Sequence, residues 1–143
     1  KETNWYKNGQ KKSVTTYKDG EKDGKETDWY KNGQKKSVTT YKDSKANGLR
    51  TYWYKNGQKE LERHYKNGEL DGLWTWWYED GQKYKEKTYK DGKMDGLWTY
   101  WYENGQKKYE KTYKDGAVIS AKCWDEDGNE CDECSENWWE GCK

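Results

Sequence analysis

Aliphatic residues are scarce in this chain: five Leu, three Val, one Ile and one Met among 143 residues, with no Phe and no Pro. That scarcity excludes a thick, water-free aliphatic core. No apolar run approaches the roughly 20 residues of a membrane-spanning helix. No secretory leader is recognisable at its start, and membrane insertion is not expected. Histidine occurs once, as His64, in a slot filled elsewhere by Thr16, Thr40, Thr88 and Thr112. This marks it as a strand-surface substitution rather than a base. No Ser-His-Asp or Cys-His pairing can be drawn from it, and no Gly loop precedes a helix to cradle phosphate. Neither catalysis nor a cofactor is expected, and no catalytic residue is assigned.

At 29% hydrophobic and 38% charged, the composition alone points towards disorder. The aromatic content argues the other way. Eleven Trp and fourteen Tyr make up most of the hydrophobic residues, and each can bury about 150–250 Å². A few per structural unit can hold a thin fold together, rings inside and polar tips in water. The net charge of +1 argues against a nucleic-acid binder. Residues 123–143 hold eight acids and one Lys, and the bland reading is that this acidic tail offsets or docks on the Lys-rich body.

The chain repeats with a period of 24. Trp-Tyr recurs from Trp5-Tyr6 to Trp101-Tyr102, followed each time by Asn/Asp-Gly-Gln-Lys, and each unit closes on Tyr17, Tyr41, Tyr65, Tyr89 or Tyr113. Residues 1–20 and 25–44 differ only at Asn4/Asp28 and Gly20/Ser44. Aromatic and Thr alternation around Asn-Gly or Asp-Gly predicts β-hairpins. The expected fold is all-β: five tandem hairpin repeats (1–24, 25–48, 49–72, 73–96, 97–116) in one elongated, twisted antiparallel sheet. A degenerate sixth hairpin and Cys-rich cap follow at 117–143. Ten strands at 4.8 Å each give a slab roughly 45–50 Å long.

A two-residue turn at Asn104-Gly105 would set Trp101 opposite Lys108. A three-residue bulged loop with Gly105 left-handed sets Trp101 opposite Lys107 instead. The bulged register is preferred, because it groups Leu97, Thr99, Trp101, Tyr109 and Tyr113 on one face as the core. The opposite face then carries the variation: Glu2/Asn4, Glu26/Asp28, Arg50/Tyr52, Trp74/Trp76 and Trp98/Tyr100, with Tyr84 opposite Trp76. It is polar at the N-terminal end and aromatic at the other. Tyr52, Tyr54, Trp74, Trp76, Tyr78, Trp98, Tyr100 and Tyr102 form the candidate binding face. The competing reading is that Trp124, Trp138 and Trp139 of the cap fold over it.

In the bulged register Cys123 falls opposite Cys131, within disulfide range, which leaves Cys134 to pair with Cys142. Two disulfides are the favoured reading, although four Cys allow three connectivities. A four-cysteine zinc site and a redox pair are the alternatives, and no metal is assigned. The segment Asp125–Glu130 has a faint calcium-loop look, but Gly128 stands fourth where such a loop wants its Gly sixth. A hairpin turn is preferred there.

Residues 89–116, YKDGKMDGLWTYWYENGQKKYEKTYKDG, resemble the MORN-repeat variant, and the resemblance covers residues 1–116. It rests on the Gly-x-Trp, Tyr-x-Asn-Gly and Tyr-x-x-Gly spacing, from which the first two copies depart by having Glu2 and Glu26 where later ones have Trp74 and Trp98. The resemblance implies a hairpin-stack sheet with a binding or scaffold role, and it supplies no catalytic residues. Bacterial relatives are often labelled antitoxin components. The expected function is a non-enzymatic interaction module, extracytoplasmic because paired cysteines need an oxidising compartment. Its partner would be another protein or a second copy. Glycan binding, self-assembly through open sheet edges, and a cytoplasmic toxin-neutralising antitoxin are the other readings.

Overall fold

The computed structural model describes residues 1–135, 137 and 142–143. Its strands are β1 (Glu2–Trp5), β2 (Lys11–Lys18), β3 (Glu21–Trp29), β4 (Lys35–Lys42), β5 (Lys45–Trp53), β6 (Lys59–Lys66), β7 (Glu69–Trp77), β8 (Lys83–Lys90), β9 (Lys93–Trp101), β10 (Lys107–Lys114) and β11 (Ala117–Cys123). They form one antiparallel sheet in chain order, so every connection joins neighbours.

Turn chemistry sets the register. In the fifth repeat the Tyr102 N–H donates to the Gln106 carbonyl at 2.9 Å, and the Gly105 N–H donates to the Tyr102 carbonyl at 3.0 Å. Gly105 has φ +83°, the left-handed region that side chains disfavour. The Asn104 carboxamide oxygen accepts the Gln106 N–H at 2.9 Å. Trp101 therefore opposes Lys107, the bulged register, and the corresponding Trp opposes Lys11, Lys35, Lys59 and Lys83. The second turn of each unit is a two-residue Asp-Gly type, with positive φ at Asp19 and Gly20, at Asp91 and Gly92, and at their equivalents.

One feature departs from the expected arrangement. After the Trp101–Lys107 pair the next is Tyr100–Tyr109, so Lys108 is an additional residue on the return strand. Lys12, Lys36, Glu60 and Tyr84 hold the same place in the other hairpins. Because side chains alternate, one extra residue moves the rest of the strand to the other face. Tyr109 and Tyr113 thus join Trp98 and Tyr100, and leave Leu97, Thr99 and Trp101 behind. Lys85, not Tyr84, stands opposite Trp76, while the Tyr84 ring lies 4.7 Å from that of Tyr78. The expected five-residue core row is split between the faces.

The two faces differ in burial. On the leucine face, Leu49, Leu73 and Leu97 are exposed. Its polar order comes from Thr51 and Thr75 donating to Glu62 and Glu86, and from Lys59, Lys83 and Lys107 paired with Glu62, Glu86 and Glu110. On the tyrosine face, Leu61, Tyr100, Tyr109 and Tyr113 are buried, and Cys123 is 0% exposed. The core lies on this face, towards the C-terminal end.

Repeats are stapled to one another along the loops. The hydroxyls of Tyr6, Tyr30, Tyr54 and Tyr102 donate to the carbonyls of Trp29, Trp53, Trp77 and Trp124 at 2.7–2.9 Å. Side-chain amides of Asn8, Asn32, Asn56 and Asn104 donate to carbonyls of the next loop. Asp80, which has no amide to give, replaces Asn in the fourth repeat.

The sixth hairpin begins and then stops. Its loop repeats the earlier geometry, with the Asp125 N–H donating to the Asn129 carbonyl and the Gly128 N–H to the Asp125 carbonyl. Among the described residues, its two arms pair through Trp124 with Glu130 and through the Cys131 N–H donating to the Cys123 carbonyl. The expected cysteine neighbours are real, since Cys134 also bridges Cys142 along the backbone. Their sulfurs nevertheless bond crosswise, as Cys123–Cys134 and Cys131–Cys142. The Cys123 side chain points into the tyrosine face, and the chain after Cys131 turns over that face instead of continuing as a strand. That turn brings Cys134 to a Cα separation of 5.6 Å from Cys123.

Candidate functional site

The tyrosine face is built from rows that cross the sheet, one residue per strand. The first runs Asn4, Ser13, Asp28, Ser37, Tyr52, Leu61, Trp76, Lys85, Tyr100, Tyr109, Cys123. The second runs Glu2, Thr15, Glu26, Thr39, Arg50, Arg63, Trp74, Lys87, Trp98, Lys111, Ala121. Both change character at β5. Before it the residues are hydroxyls, carboxylates and the Asn4 amide; from it onwards, apart from Leu61, Cys123 and Ala121, they are aromatic rings and cations.

At the N-terminal end the polar groups satisfy each other. Ser37 donates to Asp28 at 2.7 Å, Thr15 donates to Glu26 at 3.1 Å, and Lys22 pairs with Glu26. Beyond β5, cations lie over rings. Arg63 is 4.3 Å from the Trp74 ring centre, Lys85 is 4.2 Å from Trp76, and Lys87 is 3.8 Å from Trp98. Trp74 stacks on Trp76 at 4.3 Å, and the closing tyrosines Tyr89 and Tyr113 lie 5.4 Å from Trp74 and Trp98. Among the described residues, Arg50, Arg63, Lys85, Lys87 and Lys111 form no ion pair with a carboxylate. Glu62, Glu86 and Glu110, their chain neighbours, point to the leucine face.

This crowding of cations has an electrostatic consequence. Burial, helped by the like charge of Lys85, pushes the Lys87 ammonium down to about 8. Burial also lowers Lys85. The Trp98 ring face beneath Lys87 offsets part of this cost. Burial raises the Tyr100 hydroxyl well above the ordinary phenol range. The side-chain nitrogens Arg50 Nε, Arg63 Nε and Trp74 Nε1 are buried without a hydrogen-bond acceptor among the described residues.

Of the eight residues expected to form a binding face, Tyr52, Trp74, Trp76, Trp98 and Tyr100 do share the tyrosine face. Tyr54, Tyr78 and Tyr102 stand just beyond the paired rows. They begin the hairpin loops, where Tyr54 and Tyr102 serve as inter-repeat staples. Tyr78 and Tyr102 line a shallow depression of about 430 Å³ with Trp101, Lys108 and Glu126. Arg63, Lys85, Lys87, Tyr89, Tyr109 and Tyr113 were not expected at the site. The signal for them was the non-aromatic character of Lys12, Lys36, Glu60 and Lys108, which suits an extra, outward residue at that place.

Trp124 occupies the repeat's Trp position, 5.6 Å beneath Lys107 Nζ, rather than the aromatic rows. Trp138 and Trp139 lie outside the described residues. Among the described residues of the cap, Cys131 and Cys134 lie against Tyr100, Tyr109 and Cys123. The four cysteines are disulfide-bonded, which displaces the zinc and free-thiol readings. Asp125 accepts from the backbone of Asp127 and Asn129 and from the Asn129 side chain. These bonds, those from Asn129 first, lower its carboxyl, so the segment behaves as a turn. His64 is an exposed strand residue opposite Leu49.

The family model of the MORN repeat variant matches residues 1–19, 22–43, 46–67, 70–91 and 94–115. No curated protein matches the chain.

Proposed function

The chain belongs to the MORN repeat variant family, and from that premise we propose that it is a non-enzymatic interaction scaffold whose partner docks on the C-terminal half of the tyrosine face. Repeats of this family act generally as scaffolds and protein-interaction modules, without catalysis. The partner surface is acidic. The observation that carries this reading is the set of five cations, Arg50, Arg63, Lys85, Lys87 and Lys111, on an aromatic face without a carboxylate partner among the described residues. Interfaces favour Trp, Tyr and Arg in this combination.

The compartment is extracytoplasmic. Both cysteine pairs are bonded, which favours an oxidising environment over the cytoplasmic antitoxin reading. Among the described residues no helix is long and apolar enough to cross a membrane.

Titration with a panel of acidic peptides, followed by Trp fluorescence at several salt concentrations, tests the proposal. The expected result is salt-sensitive binding that the Arg50→Gln, Arg63→Gln double variant weakens at least about tenfold, with the melting temperature held. Salt-insensitive binding, or none, sinks it.

A further inference from the structure

The two edges of the sheet are unlike. β1 is four residues long and carries Glu2 directly behind Lys1, so shortness and charge guard it. β11 reads AVISAKC and is uncharged until Lys122, whose ammonium is tied to Glu130 at 2.9 Å. Val118 is 49% exposed and Ile119 64%. Long apolar edges of this kind are templates for pairing with another chain.

The inner side of β11 is paired with β10 from Ala117 to Cys123. On the outer side, among the described residues, only the end is covered, where Cys131 meets Cys123 and Glu130 meets Trp124. Among the described residues no hydrogen bond crosses the outer side of residues 117–122. In the preceding repeat that side of the strand takes the return strand of its own hairpin, as β9 takes β10 from Gly96 to Trp101. In the sixth unit the Cys123–Cys134 bond draws the chain over the tyrosine face instead. A place one strand wide is left beside β11.

We propose that this edge takes the β11 of a second copy, related by a two-fold axis normal to the sheet. Strand direction selects this occupant. Every pair in the sheet is antiparallel, so the first and eleventh strands point the same way. A copy added by translation would lay its β1 parallel to β11, in the weaker pairing geometry and against a charged strand. The two-fold sets β11 against β11 antiparallel and matches the apolar run Val118–Ala121 with itself. It also brings the Lys122 end of one strand beside the Asp115 end of the other, opposite charges across the pair. Closed two-fold pairings are the commonest oligomers.

The bulge at Ile119, between the Thr112–Ser120 and Tyr113–Val118 pairs, does not obstruct this. β9 carries a comparable irregularity on its β8 side and still pairs with β10 on the other. The axis leaves both tyrosine faces on the same side, so the two cationic, aromatic halves adjoin in one continuous sheet.

Sedimentation velocity of the intact, oxidised protein across concentration tests the pairing, with circular dichroism confirming that each variant is folded. The expected species is a dimer whose dissociation constant Ile119→Lys or Val118→Lys raises at least about tenfold, while Thr3→Lys on β1 leaves it unchanged. Amides of residues 118–121 exchange more slowly in the dimer than in Ile119→Lys. Monomer at every concentration overturns the proposal, as does a dimer indifferent to both β11 substitutions. Open-ended growth blocked by Thr3→Lys would mean head-to-tail stacking and overturns it equally.

Discussion

The first two repeats and the last two share a backbone and differ in what the backbone carries. Both ends have the same bulged loops and the same extra residue on the return strand, and a tyrosine hydroxyl staples the loops of the first, second and fifth repeats to the next. At one row position, however, the N-terminal copies place Asn4 and Asp28, and the C-terminal ones Trp76 and Tyr100. At the next they place Glu2 and Glu26 against Trp74 and Trp98. The repeat's architecture is thus independent of what its tyrosine face carries. Turns and staples build the sheet; the face is a separate variable, used for polar self-satisfaction at one end and for aromatic, cationic packing at the other.

The comparison can be broken most sharply by truncating the same row at both ends. Tyr100 is only 7% exposed, so Tyr100→Ala is expected to cost about 3–5 kcal/mol in chemical denaturation. Asp28→Ala, at the corresponding row position, should cost no more than about 1 kcal/mol. Equal losses would mean that the polar end is as much a core as the aromatic end. The shared part of the comparison is sharpened by Tyr30→Phe and Tyr102→Phe, each removing a hydroxyl bonded to the next repeat's Trp carbonyl. Each should cost about 1 kcal/mol, alike at both ends, and a loss confined to one end would show that the staple depends on the face.

The two ends also differ in their response to pH. Lys87 titrates near 8 in the fold against 10.5 for an unperturbed lysine. Between those values the unfolded chain binds more protons, so stability rises with pH through that window and the penalty is constant below it. Lys87→Met should remove most of the rise, leaving the part that Lys85, also lowered by burial, contributes, measured by urea midpoints from pH 7 to 10, whereas Lys36→Met in the second repeat should leave it whole. A rise undiminished in Lys87→Met would place its origin elsewhere.

Much of this was legible in the residues. The 24-residue period, the Asn-Gly and Asp-Gly turns and the left-handed Gly105 predict antiparallel hairpins in chain order, and the bulged register follows from the loop. The composition of the tyrosine face up to Tyr100 also follows, because strand β9 is read directly from that register. The return strands were not legible in the same way. A single extra residue at Lys108 or Tyr84 leaves the spacing of the repeat untouched, yet it decides whether Tyr109 and Tyr113 join Trp98 or Trp101. The candidate face includes Tyr52, Trp74, Trp76, Trp98 and Tyr100, which the register sets on one surface. It missed the cations Lys85 and Lys87 that interleave with them, and it included Tyr54 and Tyr102, whose hydroxyls hold loops together.

The cysteines mark the same boundary. That Cys123 and Cys131 face each other across a turn is readable from the residues, because hairpin register is local and depends on a few turn residues. Only the tertiary structure decided which sulfurs bond, because that depends on where the chain goes after Cys131. It turns towards the tyrosine face and bonds Cys123 through Cys134, and among the described residues no strand pairs with the outer edge of β11. Local hydrogen bonding repeats wherever the motif repeats, whereas face, partner and edge depend on the whole stack.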